Sequence, residues 1–296
     1  MHRRDLVSLA VLAFAALTLG VGCPEEEKKV STSQGASPSK TAGAGATPGA
    51  PKTTGAGATT PSPAAGGGTA AMGTATIKGV VNFTGKAPEM KVPVKRKDAE
   101  FCKGKEVKYN SVMAEGGKLQ DVLVRIENGG VKGKFDAPKE AAVIDQVDCM
   151  YTPRIQGVVA GQEISIKNSD GTLHNVHTYR GAESWFNQAQ PKGAEPIKKE
   201  LEDTSVIKFS CDVHPWMRGF VVVTDHPFQS VTKADGSFTI EKVPAGKYKL
   251  EAWHTHYGLK TAEVTVEDGK TVEATFTYDG TETAPAENKD ELKDLF

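Results

Sequence analysis

Four side chains in this sequence have the chemistry to hold a soft metal ion together. Cys211, His214 and Met217 fall within one run, Phe209 to Val223, read F-S-C-D-V-H-P-W-M-R-G-F-V-V-V. Upstream lies a second marked stretch, Leu173-His174-Asn175-Val176-His177. A thiolate, two imidazoles and a thioether make the trigonal His₂Cys set with a weak axial Met, the donor set of a one-electron copper centre. Soft sulfur from Cys211 and Met217 suits the cuprous state in particular. Taken singly, each residue has a plainer reading: a buried Cys is a small hydrophobe, a lone His is surface or core filler, and Met is packing. The weight lies in all four together, in order, with Asn175 in place. Zinc is the competing ion, since it also takes Cys and His, and Met in the fourth position argues against it.

The spacing dictates what must position these groups. A short loop carrying three donors cannot supply the fourth from the same direction, so His174 must arrive on another strand. The apolar run from Arg218 to Thr224 reads as a strand that holds the loop rigid, and a rigid site limits rearrangement when an electron comes or goes. His177 follows His174 by three residues, which puts the two on opposite faces of a strand and argues against a shared metal.

The pattern C-x-x-H-P-x-M-R-G followed by valines, with H-N-V-H upstream, resembles amicyanin-like blue copper proteins of the cupredoxin family, which also includes plastocyanin. The likeness extends back through V-I-D, M-Y-T-P and V-x-A-G-Q-x-I-S-I-K-N-S, over roughly Ala141 to Asp225. It implies a Greek-key β-sandwich at residues 139–226, holding one type 1 copper ion through His174, Cys211, His214 and Met217. It implies that Asn175 ties the two loops together near the sulfur. It also implies that His214 lies near the surface, with Pro215 and Trp216 forming an apolar electron port. Trp216 stands where such loops usually carry another aromatic. The implied activity is electron transfer with redox partner proteins rather than enzymatic turnover; a copper-handling protein that passes the metal on without electron transfer, and a surface interaction module with a structural metal, are the alternatives.

A second stretch, Val231 to Trp253, alternates with turn signals at Ala234-Asp235-Gly236 and Pro244-Ala245-Gly246. It resembles the carboxypeptidase regulatory-like, transthyretin-like β-sandwich. Residues 227–280 are short for such a module, and Lys78 to Gly85 has nearly the form of its opening strand. Residues 74–138, with alternating segments at 75–85 and 120–127, are therefore candidates for its first half. The copper domain is then inserted into this sandwich, or else the two follow in series. The fold class expected is all-β: a cupredoxin sandwich combined with a second small sandwich.

The rest of the chain bounds the setting. At 296 residues, with a net charge of −1, there is room for one to two domains and no electrostatic sign of nucleic-acid binding. His2, Arg3 and Arg4 precede an apolar run from Leu6 to Leu19, which reads as a signal segment over residues 1–23. Leu19-Gly20-Val21-Gly22-Cys23 resembles a bacterial lipoprotein cleavage site, which implies a lipid on Cys23, a membrane anchor, and a place in the outer membrane, periplasm or cell surface. A plain secretory signal cut nearby is the alternative. Residues 24–73 are Ala, Gly, Thr, Ser and Pro with almost no large apolar side chains, a composition that cannot offset chain entropy. They read as a tether with ends about 35–42 Å apart on average. Residues 281–296 read as a frayed acidic tail.

Two cysteines, Cys102 and Cys149, remain. In an exported protein such a pair is most simply a disulfide; two free thiols or extra metal ligands are the alternatives. His254 and His256 lie two apart, on one face of an extended segment, and are either a second metal site or solvent-facing residues near a turn.

Overall fold

The computed structural model describes residues 70–89, 99–102 and 110–282. The signal segment with Cys23, nearly all of the tether, and the tail beyond residue 282 lie outside the described residues. Among the described residues the regular secondary structure is almost entirely strand, as expected. Among these residues the single helix is one turn, and none is long and apolar enough to cross a membrane.

The chain opens with β1 (Ala75–Phe83), the one-turn α1 (Ala99–Cys102), β2 (Ala114–Glu115), β3 (Lys118–Leu119) and β4 (Leu123–Ile126). Then come β5 (Ala142–Val147), β6 (Met150–Thr152), β7 (Ile155–Val159), β8 (Gln162–Asn168) and β9 (His174–Arg180). They are followed by β10 (Glu183–Gln190), β11 (Ile197–Leu201), β12 (Ser205–Ser210) and β13 (Arg218–Thr224). The last strands are β14 (Gln229–Val231), β15 (Ser237–Val243), β16 (Gly246–His254), β17 (Gly258–Val266) and β18 (Thr271–Tyr278).

Strands β5 to β13 pair only among themselves. One sheet runs β10-β9-β12-β13-β7 and the other β11-β8-β5-β6. The strands before and after them pair with each other. β1 lies between β15 and β18, and β4 lies between β14 and β16. The strands that precede β5 are thus hydrogen-bonded to strands that follow β13.

Side-chain alternation explains the layers. Val122, Val124 and Ile126 point into one core with Phe238, Ile240, Leu250 and Phe276. Ile144, Ile164, Ile166, Val176, Phe209 and Val221 fill the other. Leu123 and Trp253 are register partners that point the opposite way. They meet Ile155, Phe220 and Val222 in a third buried cluster joining the two sandwiches. Phe220 and Trp253 cross edge to face at 5.8 Å, a geometry worth about 0.5–1.5 kcal/mol beyond the area it buries. Arg154 seals the margin of this joint, donating to Thr255 Oγ1 at 2.8 Å and lying 3.7 Å from Asp121.

Candidate metal centre

β9 and β12 are antiparallel neighbours with Ser210 opposite His177. His174, three residues before His177, therefore lies just past the end of β12, where the loop carrying Cys211, His214 and Met217 begins. β13 then runs back along β12, with Arg218 opposite Ser210. That hairpin clamps both ends of the loop. Gly219 is needed here: a Cβ would come within 2.9 Å of Tyr151 Cβ. Tyr151 lies beneath the loop and donates from its hydroxyl to the carbonyls of Ser210 (3.0 Å) and Asn175 (3.2 Å).

Three donors converge. His174 Nδ1 and His214 Nδ1 are 2.8 Å apart, and Cys211 Sγ is 3.6 Å from the second and 3.9 Å from the first. All three residues are buried. A point equidistant from the three atoms lies about 2.0 Å from each, which matches the roughly 2.0–2.3 Å that nitrogen and sulfur ligands take around a first-row divalent ion. The donor set therefore fits a metal in both chemistry and size. Met217 is fully buried in the same cluster as Cys211, and its N–H donates to the His214 carbonyl at 2.9 Å.

The surroundings fix these donor groups. The Asn175 side-chain oxygen accepts from the Asp212 N–H (2.6 Å) and the Val213 N–H (3.4 Å), while the Asn175 backbone N–H points at Cys211 Sγ from 3.4 Å. His174 Nε2 lies 2.8 Å from Asp170 Oδ2, so its ring is held from behind. Burial alone would raise the Cys211 thiol. Hydrogen bonds with His174, His214 and the Asn175 N–H outweigh that and hold it at about 6. Burial alone would lower His174; Asp170 and the Cys211 sulfur outweigh that and hold it at about 9. Without a metal, the site is therefore an imidazolium beside a thiolate at neutral pH.

Asp170 escapes notice in the sequence, although an acid four residues before a ligand histidine is a visible signal. It does more than orient the ring. Both of its oxygens accept from the turn between β5 and β6: the N–H of Asp148 to Oδ1 and that of Cys149 to Oδ2, each at 2.8 Å. Asp148 and Cys149 have φ of 55° and 61°. Left-handed backbone costs a residue with a Cβ roughly 1–2 kcal/mol, and Asp170 is what offsets it here. Cys149 is bonded to Cys102. The bridge leaves from this turn rather than from a strand, and it joins the turn to α1.

The surroundings of His214 differ from the expected surface patch. His214 is fully buried and Trp216 is only 2% exposed, whereas Pro215 is exposed. Trp216 does not form an exposed port because its indole N–H donates to the Cys149 carbonyl at 2.9 Å, which draws the ring under the turn. On the far edge of the imidazole, His214 Nε2 lies 3.7 Å from Cys102 Sγ. The disulfide and Trp216 together cover the His214 ring.

His177, His254 and His256 are not part of the donor triangle. His177 meets Asp212, Ser184 and the Tyr179 hydroxyl. His254 is buried, and its Nδ1 accepts from the N–H groups of His256 and Tyr257, both at 3.2 Å. Among the described residues, two groups have metal-binding geometry: His174 with Cys211 and His214, and Cys149 with Asp170 and His174. The sulfur of Cys149 is committed to its disulfide.

A family model for the carboxypeptidase regulatory-like domain matches residues 219–279. No curated protein sequence matches the chain. Among solved structures, a purple cupredoxin from Nitrosopumilus maritimus is 22% identical, with a TM-score of 0.26, over 28% of this chain and 99% of that one. A reduced amicyanin variant is 23% identical, with a TM-score of 0.27, over 34% of this chain and 97% of the other. A copper-containing nitrite reductase from Thermus scotoductus is 14% identical, with a TM-score of 0.27, over 39% of this chain and 25% of that chain.

Proposed function

We propose that this protein is an exported electron carrier with one type 1 copper ion, which His174, Cys211 and His214 would hold together with Met217 as the fourth, weaker donor. The observation that carries this reading is the buried triangle of two Nδ1 atoms and one Sγ, sized for a metal ion. Copper, when bound there, supplies the one-electron couple.

The chain's own residues do the rest. Asp170 keeps His174 Nε2 engaged, which leaves Nδ1 to face the sulfur. The Asn175 N–H directs a dipole at the Cys211 sulfur, and Asn175 Oδ1 pins the loop at Asp212. Burial excludes water, and β12 and β13 hold the loop so that little has to move between redox states. The copper-binding sandwich is read as an insertion in the carboxypeptidase regulatory-like sandwich, a reading the pairing of β1 with β15 and β18 supports. A lipid on Cys23 and a tether over residues 24–73 would let this head reach redox partner proteins in the periplasm or at the cell surface. Neither catalysis nor nucleic-acid binding belongs to this reading.

The test is the visible spectrum of the chain from residue 24 onward after adding Cu(II). An intense blue thiolate-to-copper band is expected, bleached by ascorbate and absent in Cys211→Ser. A folded protein that gives no such band sinks the electron-carrier reading.

A further inference from the structure

His174 and His214 each turn one ring nitrogen, Nδ1, toward Cys211. Their other nitrogens face a different set of donors. His174 Nε2 lies 2.8 Å from Asp170 Oδ2, and His214 Nε2 lies 3.7 Å from Cys102 Sγ. The sulfur of Cys149, a carboxylate oxygen of Asp170 and a ring nitrogen of His174 all lie within 4.8 Å of one another. These three residues are buried, and Cys102, bonded to Cys149, is buried with them. Behind the triangle there is thus a second group: two sulfurs, a carboxylate and an imidazole.

While the bridge is closed its sulfurs are not ligands, because a metal is bound by the thiolate. Opening it would supply two thiolates at a place that stays assembled. Thiolates at about 2.3 Å from a tetrahedral ion lie about 3.8 Å apart. The Cα atoms of Cys102 and Cys149 are 6.0 Å apart, so side-chain rotation reaches that spacing. Cys149 is held in its turn by the Asp170 carboxylate on its N–H and by the Trp216 indole on its carbonyl, independently of the bridge. On the other side, the Phe101 ring packs α1 onto Gly171, where a Cβ would come within 2.7 Å of it. Asp148 and Gly171, the chain neighbours of Cys149 and Asp170, are exposed, so an ion has a short way in.

We propose that the Cys102–Cys149 disulfide is the closed form of a second metal site, opened by a dithiol reductant, in which Cys102, Cys149, Asp170 and His174 hold a zinc-class divalent ion. Thiol–disulfide exchange passes two electrons and two protons from the dithiol to the bridge. The S–S bond breaks, two thiols form, and the reductant leaves as its own disulfide. The ion then displaces the two thiol protons as two metal–sulfur bonds form. Two thiolates, a carboxylate and an imidazole make a four-coordinate set that suits zinc. In the reduced protein the ion does what the bridge does in the oxidised one: it fastens α1 to the turn between β5 and β6. The site does not depend on the copper reading, although both use His174, which offers Nδ1 to the triangle and Nε2 to this group.

The test uses the full chain with Cys23→Ser and Cys211→Ser, which leaves Cys102 and Cys149 as its only cysteines. The protein is reduced with a phosphine, freed of it under anaerobic conditions, and titrated with Co(II) as a coloured stand-in for zinc. One Co(II) per chain is expected, with an intense thiolate-to-metal band and the visible bands of a tetrahedral ion, both abolished by Zn(II). The unreduced protein should show neither. Asp170→Asn and His174→Gln should each weaken binding roughly tenfold or more. A reduced, folded protein without the band overturns the proposal. So does a band that both substitutions leave unchanged, since two thiols alone would then be taking the ion. If reduction unfolds the chain, Zn(II) must restore its strand signal in circular dichroism, because binding to the folded form alone pulls folding with it; failure to do so overturns the proposal as well. None of these outcomes bears on the blue band of the copper-loaded wild type, which is read separately.

Discussion

Asp170 bridges His174 to Cys149: one carboxylate oxygen lies 2.8 Å from the ligand's Nε2 and accepts the turn N–H, also at 2.8 Å. The ligand and the disulfide turn are therefore set by one side chain. Groups that orient a ligand histidine from behind typically contribute 10–100-fold to metal affinity. Asp170→Asn is expected to weaken Cu(II) binding by about that factor, measured by competition with a chelator. Unchanged affinity in a folded variant would show that the β9 backbone alone orients His174.

The metal-free protein should have a stability plateau in pH. Cys211 is held down at about 6, so its contribution is present above the thiol's ordinary range and is lost as pH falls through 6. His174 is held up at about 9, so its contribution is present below the ordinary imidazole range and is lost as pH rises through 9. Between those values the folded pair is charged, whereas the unfolded pair is mostly neutral with the same number of protons, so stability is flat. Urea midpoints with a chelator present should be level from about pH 7 to 9 and fall as pH drops towards 6. Cys211→Ser should remove the fall near pH 6. A wild-type profile identical to that of Cys211→Ser would count against the thiolate–imidazolium pair.

Removing the disulfide should both destabilise the fold and uncover His214. Cys102 and Cys149 are 47 residues apart, a closure for which a typical loss is about 2–4 kcal/mol. Cys102→Ser is expected to lower the urea midpoint accordingly and to hasten copper loss to a chelator. A normal midpoint together with unchanged copper release would remove the disulfide from both roles.

Trp216 is expected to matter for stability more than for partner exchange. Trp216→Phe keeps most of the packing but leaves the buried Cys149 carbonyl without its indole donor. An unmet buried acceptor costs about 1–3 kcal/mol, to be read from chemical denaturation. The blue band should persist. A loss of colour with normal stability would instead mean that the indole shapes the ligand field.

The sequence shows the strands and the four ligand candidates because each follows from a local pattern. Val122, Val124 and Ile126 mark the core face of β4, and Phe238 and Ile240 that of β15. The same alternation conceals the joint between the sandwiches, since Leu123 and Trp253 read as ordinary strand residues until the partner surface with Phe220 is in place. Cysteine counting raises the pairing of Cys102 with Cys149, but not its place over His214. That depends on α1 reaching a loop more than a hundred residues later, which no local period encodes. The burial of Trp216 is hidden from the sequence for the same reason: its acceptor is a carbonyl on a distant turn.

The pairing of Ile77 with Ile240, and of β1 with β18, has a consequence for how the chain acquires its shape. As synthesis proceeds from the amino end, β1 emerges long before either neighbour exists. Bringing such distant segments together carries a large closure entropy and makes pairing slow. Strands β5 to β13 need no partner outside themselves, so they can collapse first and draw the two flanking halves to within reach. In that order of events the inner sandwich serves as the template on which the outer one condenses, and a lesion that stalls the inner sandwich leaves β1 as an exposed, unpaired edge open to aggregation.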